Sequence, residues 1–180
     1  MYPVSLAGPR LCLREFSVQD VAGIHAIYGD AEATRHLSFE PRSAEEVENL
    51  IARVIALAGE EPRAEYSLAA VSCDDDAVVG FARLAVESPH SATIGFATRA
   101  DSWGKGLGTE IVGLLCTLGF EHLGLHRIWA ARAPENAPSD RVLRKAGFTE
   151  EGRIRAHVHV HGAWRDSVTY SILRPEWESD

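Results

Sequence analysis

The chain has 180 residues, 46% of them apolar and 24% charged, which suits one compact domain with a buried core and argues against disorder. Its formal charge of −8 argues against a general polyanion binder, which would present a clustered basic surface. Nucleic acid is therefore not an expected partner, whereas a cationic or amine ligand is compatible with the charge.

Three scattered cysteines, Cys12, Cys73 and Cys116, show neither metal spacing nor a disulfide framework, a pattern suited to a reducing cytosol. No basic leader precedes an apolar run, and no apolar stretch approaches about 18 residues, so neither a signal peptide nor a membrane span is expected. The expected location is cytoplasmic, with the whole chain, 1–180, as one domain in a monomer or homodimer.

In chain order, residues 11–16 alternate as a strand does. Ser17 follows as the N-cap of a helix that runs to about Tyr28 and closes at Gly29. Ser43 and Glu46 have capping-box spacing and open a helix carrying Val47, Leu50, Ile51 and Val54 on one face. Residues 66–71 and 77–86 predict a hairpin around the acidic turn Asp74-Asp75-Asp76, and 92–98 a further strand. A helix is predicted over 105–120, with Ile111, Leu115 and Leu118 on one stripe. Residues 127–132 predict a buried strand in which Trp129 belongs to the core. Pro138 fits the first turn of a short helix that Gly147 ends in a left-handed cap. Strands over 149–160 and 164–173 flank the turn His161-Gly162-Ala163. The outline is α+β, an antiparallel meander followed by a strand–helix–strand unit.

Trp103-Gly104-Lys105-Gly106-Leu107-Gly108-Thr109 sits between a predicted strand and an amphipathic helix. Glycine lets backbone approach a ligand closely, and the first N–H groups of a helix are free to bind an anion, aided by the dipole. Lys105 adds charge. A nucleotide-triphosphate loop fits poorly, because Gly106 rather than Ser or Thr follows Lys105. A dinucleotide fingerprint also fails: the glycines read G-x-G-x-G, and the preceding strands form hairpins.

The segment resembles motif A of the GNAT-superfamily N-acetyltransferases, Gln/Arg-x-x-Gly-x-Gly/Ala, with Trp103 in the first place and Gly106 and Gly108 at the small positions. Trp-Gly-Lys-Gly before Thr109-Glu110 is similar to the branch containing the ribosomal-protein N-acetyltransferases. So are Asn136-x-x-Ser139, residues 141–148 (RVLRKAGF) and Trp164-Arg165-Asp166.

The resemblance implies a single domain with a mixed, mostly antiparallel sheet between helices, opened by a splayed V-shaped cofactor cleft. It implies acetyl-CoA as co-substrate, no metal, and direct attack by a primary amine in a ternary complex, the amine being a protein N-terminus or a small molecule. Phe96, Ala97 and Thr98 would pair with the pantetheine arm, and Trp103, Gly104, Lys105, Gly106, Leu107, Gly108 and Thr109 would hold the pyrophosphate. Asn136 would bond the arm, Ser139 would serve the departing sulfur, and Arg144 would reach phosphates. A non-catalytic acyl-CoA sensor on the same fold is the alternative.

Glu40 and Glu110 are candidates for the base, Glu40 also for acceptor binding, while Glu110 suits support of a first helical turn. His157, His159 and His161 are predicted on one strand face, His157 as an acceptor-pocket or proton-transfer group. Metal ligation by the three would need further ligands. His122 and His126 stand near a helix end broken by Gly124.

Overall fold

A computed structural model of the chain describes residues 2–178. Strands β1 (Ser5–Ala7), β2 (Leu11–Arg14), β3 (Glu65–Ser72), β4 (Val78–Ser88), β5 (Ser91–Thr98), β6 (Arg127–Arg132), β7 (Thr149–Val160) and β8 (Ala163–Leu173) form one sheet. Its order is β1-β2-β3-β4-β5-β6-β8-β7. Only β5 and β6 are parallel neighbours, as a strand–helix–strand crossover requires. Tyr66 to Val71 are buried without alternation because β3 is covered on both faces. The edge strand β7 is exposed along most of its length.

Helices α1 (Val21–Tyr28), α2 (Ala31–Thr34) and α3 (Ala44–Leu57) belong to the N-terminal part, and α4 (Leu107–Thr117), α5 (Ala137–Lys145) and α6 (Arg174–Trp177) to the C-terminal part. They create two cores, one on each sheet face. Ile111, Leu115 and Leu118 join Leu68, Leu84 and Ile128 in the first. Ile24, Ile27, Val47 and Ile51 join Ala69 and Val71 in the second.

Local signals act as their chemistry demands. Ser43 Oγ accepts from the Glu46 N–H at 3.2 Å while Glu46 returns a carboxylate to the Ser43 N–H at 2.8 Å. Gly147 ends α5 at φ 83°. After Ser17 the chain first makes a 3-10 turn, Val18–Asp20, because buried Asp20 draws the Ser17 N–H at 2.7 Å and both terminal nitrogens of Arg14. The helix predicted from Lys105 begins at Leu107, since Gly106 takes a left-handed φ of 79° as its N-cap.

Two expectations are corrected. Cys12 and Cys73 form a disulfide, Cα atoms 5.7 Å apart across a separation of 61 residues. The pairing of β2 with β3 sets Leu11 opposite Ser72 and so brings Cys73 to Cys12, a long-range register that the cysteine spacing does not reveal. Cys116 is the buried free thiol, pushed up to about 12 by burial. Trp129 is half-buried rather than core, because its indole N–H reaches out to the exposed Glu87 carboxylate.

Candidate active site

The sheet splits at its centre. β5 and β6 are in register only from Ser91↔Arg127 to Ile94↔Ala130. Beyond Ile94, β5 stays paired with β4 as far as Thr98, and β6 stays paired with β8 as far as Arg132. The β6-facing edge of residues 95–98 is thus released from its neighbour, and backbone groups so released need partners from elsewhere. A cavity of roughly 710 Å³ occupies the gap. Phe96 packs on the first core and Ala97 on the second, yet both line it, so the opening runs through the sheet.

One end lies beside α4. Trp103, Gly104, Lys105 and Gly106 are exposed, and Gly104 adopts φ 74°, a left-handed state that suits glycine. The Trp103 indole N–H donates to the Thr98 carbonyl at 3.2 Å, tying the turn to the strand end. A Cβ on Gly108 would stand 3.2 Å from Val142 Cγ2 and 3.6 Å from Phe96 Cε2, so α4 packs closely against both α5 and β5. The turn is pinned from below: Glu110 Oε1 accepts from the Arg10 and Leu11 amides at 2.7 and 2.9 Å, and Oε2 from Arg10 Nε at 2.9 Å. Arg10 Nη1 then donates to the Lys105 carbonyl at 2.8 Å. Burial pulls the Glu110 pKa up, but these amides and the guanidinium outweigh it, and the net shift is downward. Glu110 is committed to support and does not line the cavity.

Across the gap, Asn136 caps α5 by accepting from the Ser139 N–H at 3.1 Å. Asn136 and Ser139 both line the cavity. Arg144 is turned to Asp140 at 3.1 Å and Glu150 at 2.6 Å, with its side chain 54% exposed. Tyr170 donates to Asp140 and lies 3.0 Å from Glu150. Arg132 closes the network on Tyr170 and Asp140. The Tyr170 hydroxyl and then Arg144 hold the Asp140 carboxyl below its usual range.

The other end is built by distant segments. Tyr28 packs edge-on to Phe39, and Arg42 stacks over Phe39 with its Cζ 4.5 Å from the ring centre. His157 Nδ1 sits 2.9 Å from Ser167 Oγ. Arg165 Nη1 donates to the carbonyls of His36 and Leu37 at 3.1 and 3.2 Å, fastening that loop to β8. Trp129 donates to Glu87 Oε2 at 2.7 Å.

Phe96, Ala97, Asn136, Ser139 and His157 therefore meet in one cavity. Thr98, residues 103–109 and Arg144 lie outside its lining, and so does Glu40, which bonds His161 Nδ1 at 2.7 Å. The three histidines do not share a face. A shift of register between Ile154 and Val158 bends β7, His159 packs on Trp164, and His161 lies in the turn at φ 53°. Among the described residues no group of three His, Cys, Asp or Glu gathers as metal ligands, and no helix is long and apolar enough to cross a membrane. Tyr28, Arg42 and Arg165 were absent from the sequence-based set; only the Trp-Arg-Asp run marked the neighbourhood of Arg165.

Residues 10–149 match the family described as Acetyltransferase (GNAT) domain. The chain is 31% identical over 177 residues to the uncharacterized N-acetyltransferase YoaA of Bacillus subtilis (strain 168), covering 97% of this chain and 99% of that one. The solved structure of Mycobacterium smegmatis RimJ in complex with CoA-disulfide superposes at TM-score 0.84 with 25% identity, covering 97% of this chain and 90% of that one. Spermidine N-acetyltransferase from Vibrio cholerae in complex with CoA and spermine has the same fold, at TM-score 0.81 and 22% identity over 95% of this chain and 99% of that one.

Proposed function

The chain belongs to the GNAT acetyltransferase family, and on that premise we propose that it passes an acetyl group from acetyl-CoA directly to a primary amine held in the same cavity. The coarse activity follows from membership: the protein is an acetyl-CoA-dependent N-acetyltransferase. The finer reading, direct transfer with the residues below, is carried by the cavity that crosses the sheet where β5 and β6 part. A gap open to both faces lets two substrates approach one another from opposite sides.

The residues fit the co-substrate. Gly104 and Gly106, both left-handed, bring no side chain over their own amides, and the eleven-residue helix α4 offers unpaired N–H groups at its start. The amides of residues 104–109 receive the pyrophosphate, and Lys105 adds a charge. The released edge at Phe96, Ala97 and Thr98 pairs with the pantetheine arm, and one of its N–H groups polarises the thioester carbonyl. A preorganised donor of that kind is worth about 2.7–4 kcal/mol. Acetyl-CoA supplies the acetyl group as an activated thioester and leaves as the thiol.

Ser139 Oγ has no hydrogen-bond partner among the described residues and serves the departing sulfur. Asn136 keeps its oxygen on the cap and offers its amide hydrogens to the arm. The amine must be neutral to attack, which favours an α-amine near pKa ~7.7–8.0 over an alkylammonium near ~10.4. His157, oriented by Ser167, takes its proton. The acceptor is a protein N-terminal amine or a small-molecule amine.

Initial rates measured over a grid of acetyl-CoA and amine concentrations test this. Intersecting double-reciprocal lines, with thiol release that requires the amine, are the expected result. Parallel lines would mean an acetyl-enzyme and overturn direct transfer; CoA binding without thiol release across an amine panel would favour a sensor.

A further inference from the structure

The cavity carries the opposite charge from the protein. In a chain of formal charge −8, its lining includes six arginines against two glutamates. Three of the six are neutralised within the protein: Arg63 by Glu15 at 2.6 Å, Arg83 by Glu65 at 2.6 Å, and Arg132 by Asp140 at 3.1 Å. The remaining three, Arg42, Arg53 and Arg165, have no carboxylate within ion-pair distance among the described residues. All three stand at the end away from α4, so the phosphates received at the start of α4 do not account for them.

Arg165 is the most demanding of these. Its Nη1 is spent on two carbonyls, which satisfy hydrogen bonds but not charge. Its Nε is sealed from solvent with no acceptor among the described residues, so an entering ligand meets Nη2, which is not sealed and has no acceptor among them either. Leaving a buried charged donor unpaired is costly. Burial pulls the Arg165 pKa down, opposed only by the field of exposed Glu135. Arg42, in the lining of the same cavity, offers a planar cation held in place by Phe39 and Tyr28. Arginine's rigid fork suits a carboxylate.

We infer that the acceptor carries a carboxylate together with its amine: the carboxylate pairs with Arg165 and Arg42 while the amine points past His157 toward the gap between Phe96 and Ser139. The inference rests on the transfer reading above and narrows it. An α-amino acid presents this chemistry, and so does an N-terminal peptide segment with an acidic side chain. A polyamine, the ligand of the Vibrio cholerae relative, would bring like charge to three arginines that have no ion-pair partner among the described residues.

The test uses matched acceptors with acetyl-CoA and the full chain: free amino acids against their C-terminal amides, amidated peptides with Asp against Asn at the second position, and spermidine. Thiol release should favour the acid of a pair on the order of 100-fold in kcat/KM. The pair that shows the preference identifies the source as free amino acid or acidic peptide. Arg165→Gln also loosens the loop that Nη1 fastens, so the readout is the ratio: the acid-to-amide ratio of kcat/KM should fall to within about threefold of one, with CoA affinity unchanged. A merely structural role for Arg165 would slow both twins alike. Equal rates for acid and amide, or spermidine as the best acceptor, would overturn the inference and leave acetyl transfer standing. Calorimetric titration of N-acetylated amino acids and their amides into CoA-bound protein decides the question without turnover. Selective binding of the acid, lost in Arg165→Gln, supports it; equal binding or none overturns it, even if no amine releases thiol.

Discussion

The two ends of the cavity are made of different material. Toward α4 the material is backbone: a released strand edge in the lining and, just outside it, left-handed glycines and the open start of a helix, braced from behind by Glu110 and Arg10. The far end is side chain, assembled from the loop after α2, the bent β7 and the buried row of β8. Backbone presents the same amides whatever its neighbours, which suits a ligand that never changes. Side chains can be exchanged without disturbing the fold, which suits a ligand that differs between relatives.

The sharpest way to break this contrast is to put a side chain on the backbone end. In Gly106→Val, a β-branched residue at φ 79° costs at least about 1–2 kcal/mol and shades the amides that follow. CoA affinity measured by calorimetry should fall roughly 10- to 100-fold, for every acceptor alike. Unchanged affinity would remove the anion cradle from the start of α4.

That division also explains what the sequence could and could not disclose. Glycine spacing, helix-end signals and alternation are local, so the glycine turn before α4, the short helix opened near Pro138 and the strand before the gap were all legible. Glu110 was visible as first-turn support, but its grip on Arg10 joins residues 100 apart. The link from Arg165 to His36 spans 129, and the Cys12–Cys73 bridge depends on strand register. No periodicity carries such contacts. The histidine triad failed for a related reason: alternation holds only in an unbroken strand, and β7 is bent between Ile154 and Val158.

Within the cavity, chemistry separates from binding. Ser139→Ala keeps the backbone N–H that Asn136 caps, so the fold is spared while the hydroxyl is lost. Turnover should fall about 100-fold with CoA affinity within about twofold; full turnover would end the role proposed for Ser139. His157→Gln should lower kcat/KM by a similar factor of roughly 100 without touching CoA affinity. A loss of both rate and affinity would place His157 in cofactor binding instead.

The brace offers a smaller effect with a defined pH signature. The folded pKa of Glu110 lies below its usual value, so its stabilisation is present above the unfolded pKa near 4.3 and is lost as pH falls through the folded value. Glu110→Gln should therefore lower stability by about 1–2 kcal/mol at neutral pH, discounted because Arg10 is half exposed. That corresponds to a melting temperature lower by roughly 2–8 °C. The gap between the two proteins should close below about pH 4; a gap that widens with acid would mean the carboxylate is not stabilised by Arg10 and the Leu11 amide.

The smallest change falls on Glu40, which joins the acceptor-side loop to the β7–β8 turn through His161. Its side chain is 61% exposed, and exposed ion pairs contribute about 0–1 kcal/mol. Glu40→Gln should then alter acceptor KM by no more than about fivefold and leave CoA binding and kcat alone. If kcat instead collapses, Glu40 is acting on the amine itself. The loop must then move in turnover to carry it from His161 to the cavity, and the acceptor end would be a closing part rather than a fixed wall.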